Sequence, residues 1–227
     1  MASRSRRLFA EFLGTLLLAA VVVGSGISAQ TLSPNQPGLE LAENAIATGL
    51  GLGVVILLLA PISGAHLNPV ISLVDSILGR RSDALTYVPF QVAGCIVGTI
   101  LANLMFGHAA VAISTTDRSS PGHFVGEIVA TAGLVLVVFL LARQGLERFA
   151  PIAVGAYIGA AYFFTSSTSF ANPAITIGRI FTDSFAGIAP NGVIGFIGAQ
   201  LIGAAIGYVI VRLLTTAHPA PTVEAIK

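Results

Sequence analysis

The stretch ISGAHLNPVISL, residues 62–73, is apolar enough to lie inside a membrane, yet it carries His66, Asn68 and Pro69 at its centre. A related stretch, FANPAITI, occupies residues 170–177. In both, an Asn stands where a helix N-cap belongs, and a Pro follows at the first helical position, where its missing N–H is no loss. We therefore predict that each Asn-Pro pair starts a short helix.

The composition identifies the kind of chain in which these interruptions occur. Of its 227 residues, 55% are hydrophobic and 9% are charged. The mean hydropathy of +0.89 is typical of a membrane protein and too high for a soluble domain. The net charge of +1 provides no basic cluster for phosphates, so we expect no nucleic-acid partner.

Six segments approach the roughly 20 residues that an α-helix needs to cross a bilayer. They are residues 8–27, 43–61, 84–106, 121–142, 151–166 and 191–214. The helices expected after the two Asn-Pro pairs, 68–79 and 172–183, would cover only about half of the hydrocarbon core. The sequence therefore predicts an all-α membrane protein with six transmembrane helices and two half-helices.

Basic residues indicate the orientation of these spans. If the spans alternate in direction, most Arg and Lys residues fall on one side, and only Arg118 and Arg179 fall on the other. Because positive charge concentrates in cytoplasmic loops, we expect both termini in the cytoplasm and the protein in the inner, cytoplasmic membrane. The Pro- and Ala-rich end, residues 217–227, is expected to be a flexible cytoplasmic tail.

The two halves of the chain resemble each other. Glu11 in the first span matches Glu127 in the fourth, and Gln91 in the third span matches Gln200 in the sixth. The repeats cover about 8–106 and 121–214 of a single transmembrane domain, residues 1–227. Each repeat holds an odd number of spans, so the copies must face opposite ways. Inverted repeats of this kind place their irregular segments at the middle of the membrane.

Non-helical backbone inside a membrane indicates a water-filled passage or a site, because unpaired backbone groups facing lipid are costly. Two half-helices whose N-termini meet would form a positive focus that repels cations and protons. The polar loops before them offer carbonyl acceptors, and the Asn side chains offer donors, which suits small neutral molecules. The expected pore-lining loop residues are Gly64, Ala65 and His66, and Thr168, Ser169 and Phe170.

The motif pair carries a resemblance to a known family. The segments SGAHLNPV, ANPA and AEFLGT, together with the six-span layout, resemble the aquaporin and aquaglyceroporin family of major intrinsic proteins over nearly the whole chain. The two motifs are Asn68, Pro69 and Val70, and Asn172, Pro173 and Ala174. The resemblance implies the hourglass fold, a pore in every subunit, passive conduction of neutral solutes and a homotetramer in the lipid bilayer. The sequence has no evident Ser-His-Asp set, phosphate loop or metal cluster, so we expect no enzyme activity, no cofactor and no metal site.

The sequence departs from the family pattern in both motifs. The first is NPV, with Val70 in the position of a small residue. After the second motif the family normally has an arginine, which forms the narrow outer filter with an aromatic residue, whereas this chain has Ile175. The other filter positions align with Thr48, Ala160 and Ser169, none of them charged or aromatic. We therefore expect a wide, arginine-free filter that admits larger neutral solutes.

Arg179 lies four residues beyond Ile175 on the same helical face, nearer the outer mouth. We expect it in the outer vestibule, where it attracts anionic or hydrogen-bonding solutes; the alternative is that it snorkels or pairs with Asp183. The filter without arginine, followed by NPAITIGRIFTDSFAGI, is similar to a bacterial branch of the family associated with arsenic-resistance operons. That similarity implies arsenous acid and methylated arsenic species as solutes beside water and glycerol.

Glu11 and Glu127 leave two interpretations open. An acid inside an apolar span must be paired, protonated or in a wet cavity. The symmetric placement favours loop anchors that accept hydrogen bonds from the polar loops. The other interpretation is a proton relay in a secondary transporter that is coupled to the proton gradient. A non-conducting membrane scaffold is a third possibility for the chain as a whole.

Overall fold

Eight α-helices make up the fold of the computed structural model, which describes residues 2–81 and 83–215. The first repeat contains α1 (Arg4–Leu32), α2 (Pro37–Ser63), α3 (Pro69–Ile77) and α4 (Val88–Met105). The second contains α5 (Pro121–Arg143), α6 (Ala150–Phe164), α7 (Pro173–Gly178) and α8 (Pro190–Leu214). Short 3-10 turns are formed by Ala84–Tyr87, Glu147–Phe149 and Arg179–Phe181. No β-strand occurs in the described ranges, and the prediction of an all-α fold is confirmed; the predicted tail, 217–227, lies outside them.

Five helices in the described part of the chain are long and apolar enough to cross a membrane: α1, α2, α4 with the turn before it, α5 and α8. The sixth predicted span is α6, which has 15 residues. The 3-10 turn Glu147–Phe149 directly precedes it and lengthens it. At about 1.5–2 Å of rise per residue, the two together cover most of the roughly 30 Å of hydrocarbon.

Both half-helices form where the Asn-Pro pairs predict them, but they are shorter than the expected ranges. The first, α3, stops at Ile77, because Gly79 turns the chain in the left-handed conformation at a φ of 70°. The second, α7, stops at Gly178. Just after it, the Ile180 carbonyl accepts a hydrogen bond from the Ser114 amide at 2.8 Å. This carbonyl is therefore bound to the loop between α4 and α5 and does not continue the helix.

The helices pack in the same way in each repeat. Helix α1 lies against α2 and α4, helix α5 lies against α6 and α8, and α2 meets α6 between the repeats. Small residues allow the closest approaches, because a Cβ at Gly98 would collide with the Leu16 carbonyl in α1, and one at Gly203 with the Ile128 carbonyl in α5. These glycines therefore serve helix packing within one chain.

Large apolar side chains remain exposed around the outside of the bundle. Leu50, Leu57, Ile152 and Ile194 are each more than half exposed. A surface of this kind is unfavourable in water and matches the hydrocarbon of a bilayer. The polar residues with the least exposure, among them Glu11, lie inside the bundle around the two half-helices.

Candidate pore

The two motif asparagines meet at the start of the half-helices. Asn68 caps α3, accepting from the Val70 amide at 3.0 Å, and Asn172 caps α7, accepting from the Ala174 amide at 3.0 Å. The capping oxygen leaves each side-chain NH₂ group free to donate elsewhere. Asn68 donates to the Ala171 carbonyl and Asn172 donates to the Leu67 carbonyl, both at 2.7 Å. Each asparagine thus ties its own helix to the loop in front of the other helix.

The loops before the half-helices have left-handed residues at matched positions. Ala65 and Leu67 have φ angles of 46° and 52°, and Ser169 and Ala171 have φ angles of 49° and 48°. For residues with a Cβ this conformation costs of order 1–3 kcal/mol each, and it persists only where the surroundings enforce it. The contacts of Glu11 and Glu127 supply that enforcement.

Glu11 accepts four hydrogen bonds in and around the loop between α2 and α3. Its Oε1 accepts from the Ser63 hydroxyl at 2.6 Å and the His66 amide at 3.0 Å. Its Oε2 accepts from the Leu67 amide at 2.7 Å and the Gln91 side-chain amide at 2.8 Å. The carboxylate is fully buried, and its four donors replace the water it would otherwise bind.

Glu127 repeats this arrangement in the second half. It accepts from the amides of Phe170 and Ala171, both at 2.8 Å, and from Gln200 at 2.6 Å. Gln200 in turn reaches the Thr176 hydroxyl on α7 at 2.8 Å. Both glutamates therefore bind loop backbone, and neither is part of the cavity wall described next.

One cavity of about 400 Å³ passes both asparagine side chains. It brings together most of the residues expected from the sequence. These are Thr48, Gly64, Ala65, His66, Asn68, Ser169, Phe170, Asn172, Ile175 and Arg179. Much of the remaining wall is aliphatic, and the lining extends to Arg80 and Glu147 beyond the first half-helix. The cavity is therefore a long, mostly apolar passage with a few polar groups.

Two expected site residues lie elsewhere, and their assignment to the pore was wrong. Ala160 is exposed on the outside of α6. The cavity-facing residues of this helix are Ala150, Val154, Ile158 and Tyr162, which follow the four-residue spacing of one helix face, and Ala160 is not on that face. Thr168, expected to line the pore with its carbonyl, is not part of the cavity wall; its hydroxyl accepts from a guanidinium nitrogen of Arg118 at 3.5 Å.

Tyr162 is a cavity residue that the sequence reasoning missed. Its hydroxyl donates to the Thr48 side chain at 3.2 Å, which joins α6 to α2 at the cavity wall. The cavity thus has an aromatic residue close to the predicted filter position Thr48. A hydroxyl-bearing aromatic residue within an apolar span is the signal that could have identified it.

Arg179 is enclosed rather than solvated, with 1% of its surface exposed. Its guanidinium carbon lies 3.4 Å from the ring centroid of Phe170, and its Nε donates to the Ala186 carbonyl. Asp183 instead accepts from the backbone and side chain of Thr115, so the alternative ion pair is not formed. An arginine therefore does line this passage, although not in the position next to the second motif.

Arg118 is a second buried arginine, and it lies in the loop between α4 and α5. It donates to the carbonyls of Gly187 at 2.9 Å and Phe185 at 3.0 Å, and its guanidinium carbon lies 5.2 Å from the Phe170 ring centroid. Burial lowers the pKa of this guanidinium from its ordinary value. The sequence signal was its position on the side that has few positive charges. Its contacts hold the loop between α4 and α5 against Phe170, the ring that Arg179 also contacts.

The cavity wall is equipped to bind and orient rather than to react. Within residues 2–81 and 83–215, no group of three or more His, Cys, Asp or Glu side chains is placed to hold a metal ion. The polar groups that line it near the half-helix tips are amides and hydroxyls, which exchange hydrogen bonds with neutral solutes.

Comparison with known proteins agrees with this geometry. The model of the family described as major intrinsic protein matches residues 1–170. Aquaglyceroporin AqpS of Rhizobium meliloti is 47% identical over 95% of this chain and 93% of its own length. The glycerol uptake facilitator protein of Streptococcus pneumoniae is 30% identical over 75% of this chain and 80% of its own.

A solved structure has the same fold. The crystal structure of the aquaglyceroporin from Plasmodium falciparum matches with a TM-score of 0.67 and 22% identity, over 93% of this chain and 95% of that one. The family model, which matches more than half of the chain, and the relative of 47% identity decide the family assignment. The chain belongs to the major intrinsic protein family, and it is therefore a multi-pass membrane channel and not an enzyme.

Proposed function

We propose that this protein is a passive channel for water and small uncharged solutes, with glycerol among them. The observation that carries the proposal is the single cavity in which both motif asparagines, Asn68 and Asn172, lie between two half-helix N-termini. Relatives named aquaglyceroporin and glycerol uptake facilitator support the choice of solutes. The mostly aliphatic wall favours molecules with a carbon skeleton over water alone.

Exclusion of ions follows from the charges around the cavity. Each half-helix N-terminus carries about half a positive charge from its unpaired N–H groups, and Arg179 adds a full one. Glu11 and Glu127 are bound to loop amides behind the wall, and the two acids that line the cavity, Asp75 and Glu147, both accept from Arg80. A cation at the asparagines would therefore lose its water without gaining an anionic partner.

We further propose that the filter is formed by Thr48, Tyr162, Ser169 and Ile175, with Arg179 next along the wall. The residue directly after the second motif is not an arginine, so the constriction itself is arginine-free and wide, and the guanidinium acts from further out. A filter of this kind suits arsenous acid and methylated arsenic species, which as undissociated acids present hydroxyl groups like those of small polyols. The unpartnered Ser169 hydroxyl oxygen in the described chain supports a solute-binding role.

Proton-coupled transport through Glu11 and Glu127 is the other candidate, and the contacts favour it less. A relay residue has to exchange protons with the passage, whereas each of these carboxylates accepts hydrogen bonds from two loop amides and a glutamine. A protonated carboxyl would give up acceptor positions that these donors need. We propose that both are loop anchors.

For assembly and location, we propose a homotetramer in the cytoplasmic membrane with both termini in the cytoplasm. The excess of basic residues at one end of the spans supports this orientation. The exposed apolar belt supports contact with lipid and with other subunits.

The test is a panel of permeabilities in liposomes that contain the purified protein. Water, glycerol, arsenous acid and a methylated arsenic species are compared, with and without a proton gradient. We expect flux that rises linearly with solute concentration and is unchanged by the gradient. Uphill accumulation that collapses with the gradient would replace the channel by the coupled transporter, and absence of flux for every solute would leave only a scaffold.

A further inference from the structure

Two charged residues occupy equivalent positions in the two repeats of the pore. Arg179 follows Asn172 by seven residues, and Asp75 follows Asn68 by the same number. Both side chains line the one cavity that passes the asparagines, Arg179 beyond α7 and Asp75 near the end of α3. One end of the passage therefore has a buried donor group and the other end has a buried carboxylate.

The carboxylate of Asp75 is only half satisfied by the protein. Its side chain is 8% exposed, and Oδ1 accepts from the Nε of Arg80 at 3.2 Å and lies 3.9 Å from the Nε2 of His66. Oδ2 is buried and has no hydrogen-bond partner in the part of the chain that the structure describes. A buried acceptor of this kind is unfavourable unless something else donates to it.

The residues around Asp75 leave a solute in the passage as the available hydrogen-bond donor for Oδ2. Much of the cavity wall to which Asp75 belongs is aliphatic, for example Ile56, Ile71 and Val138, and offers no hydrogen bonds. His66 is itself held by the Ser72 hydroxyl at 3.1 Å, and Arg80 also reaches Glu147 at 3.5 Å. These contacts fix the position of the carboxylate at the cavity wall, and none of them supplies a hydrogen bond to Oδ2.

We propose that Asp75 is a second solute-recognition residue, which accepts hydrogen bonds from the hydroxyl groups of neutral polyols and undissociated oxyacids in the inner half of the pore. A molecule with several hydroxyl groups donates to Asp75 while its carbon or metalloid centre lies against the aliphatic wall. Water gains less, because it has no apolar part to place there. The residue thus raises the permeability of hydroxylated solutes relative to water. This proposal rests on the proposed function, that is, on conduction of both.

The experiment compares the ratio of glycerol to water permeability in liposomes for the wild type, Asp75→Asn and Asp75→Ala. Loss of one hydrogen bond to a charged group is expected to lower the ratio by roughly tenfold in Asp75→Ala, and by less in Asp75→Asn, which keeps an acceptor. Water permeability per channel stays close to that of the wild type. A loss of water and glycerol in equal proportion would mean that Asp75 only shapes the mouth, and would overturn the proposal.

Two further variants separate recognition from architecture. Asp83→Asn makes the same chemical change in a carboxylate that pairs with Arg7 outside the cavity, and the ratio is expected to remain unchanged. Arg80→Gln removes the cation that holds Asp75 and is expected to lower the ratio less than Asp75→Ala does. If Arg80→Gln reproduces the full effect, the ion pair and not the carboxylate is responsible. A wild type that conducts neither solute defeats the proposed function, whereas a conducting wild type with an unchanged ratio in Asp75→Ala defeats this inference alone.

Discussion

Asn68 and Asn172 are bound crosswise: the side chain of each caps its own half-helix and donates to the loop in front of the other, at 2.7 Å in both directions. The side-chain oxygen is used by the cap and the nitrogen by the cross-link. A primary amide has its acceptor and its donors on two separate atoms, so one side chain can make both contacts at once. The pair therefore fixes the distance between the two helix tips at the centre of the pore.

Asn172→Asp tests the cross-link and the charge at the tips together. The carboxylate keeps the cap on α7 but cannot donate to the Leu67 carbonyl, and it adds a negative charge where two positive helix ends meet. We expect a folded protein with reduced water permeability and a measurable leak of K⁺ or protons, recorded with ion-sensitive dyes in liposomes. Asn191→Asp, the same change at an exposed position in α8, is the matched control. Ion tightness equal to that of the wild type would contradict our account of ion exclusion.

Arg179→Ala tests the outer end of the passage. The substitution removes the guanidinium from its position over Phe170 and leaves a larger, less positive opening. We expect permeability to glycerol and to methylated arsenic species to change by severalfold and exclusion of cations to weaken, measured by vesicle swelling and radioactive Rb⁺ uptake. Arg148→Ala provides the control, because Arg148 also lies over a ring, that of Phe149, but outside the cavity. Unchanged permeability to every solute would refute a role for Arg179.

Most of the fold was readable from local signals. The Asn-Pro pairs at Asn68 and Asn172 determined where the half-helices start, because capping and proline geometry act within a few residues. The matched pair of Glu11 and Glu127 indicated the inverted repeat. The ends of the helices were harder to predict. The chain after α7 is held by hydrogen bonds to a loop that is distant in sequence, such as the one from the Ser114 amide to the Ile180 carbonyl.

The side chains around the cavity were harder to predict, because their placement depends on how helices rotate against each other. Ala160 and Tyr162 differ by two positions, and only packing of α6 against α2 decides which faces inwards. Arg118 could be recognised as unusual but not located, since its outer loop folds back over Phe170 through long-range contacts. The orphaned oxygen of Asp75 is likewise a property of the assembled wall.

Glu127→Gln tests the loop-anchor role against proton coupling. The new NH₂ group meets donors from Phe170, Ala171 or Gln200, so at least one charge-assisted hydrogen bond is lost, at a cost of about 1.5–3 kcal/mol. We expect a lower thermal midpoint in detergent and fewer functional channels, with passive conduction in those that remain. Glu40→Gln, in a part-exposed position of α2, serves as the control. A stable variant that loses an uphill, gradient-driven accumulation shown by the wild type would favour coupling.

Gly98→Ala tests close packing of α1 and α4. The added methyl group would collide with the Leu16 carbonyl, so the helices must separate, and overpacking of this kind costs about 1–3 kcal/mol. We expect reduced yield and a lower midpoint of thermal unfolding. Gly198→Ala adds the same group in α8, where nothing lies within 4 Å, and is expected to behave like the wild type. Equal stability of both variants would contradict the packing argument.

Ile175→Arg restores the residue that normally follows the second motif in this family. Ile175 is buried in the cavity wall, with 4% of its surface exposed, so a guanidinium there must extend into the passage or displace its neighbours. It would narrow the constriction and present donors that suit water. We therefore expect water permeability to persist, while the permeabilities to glycerol, arsenous acid and methylated arsenic fall by about tenfold or more, which corresponds to a barrier raised by about 1.4 kcal/mol or more. Ile175→Leu keeps the volume without the charge and should retain the wild-type solute order; if the arginine variant also retains it, residue 175 does not set the width of the filter.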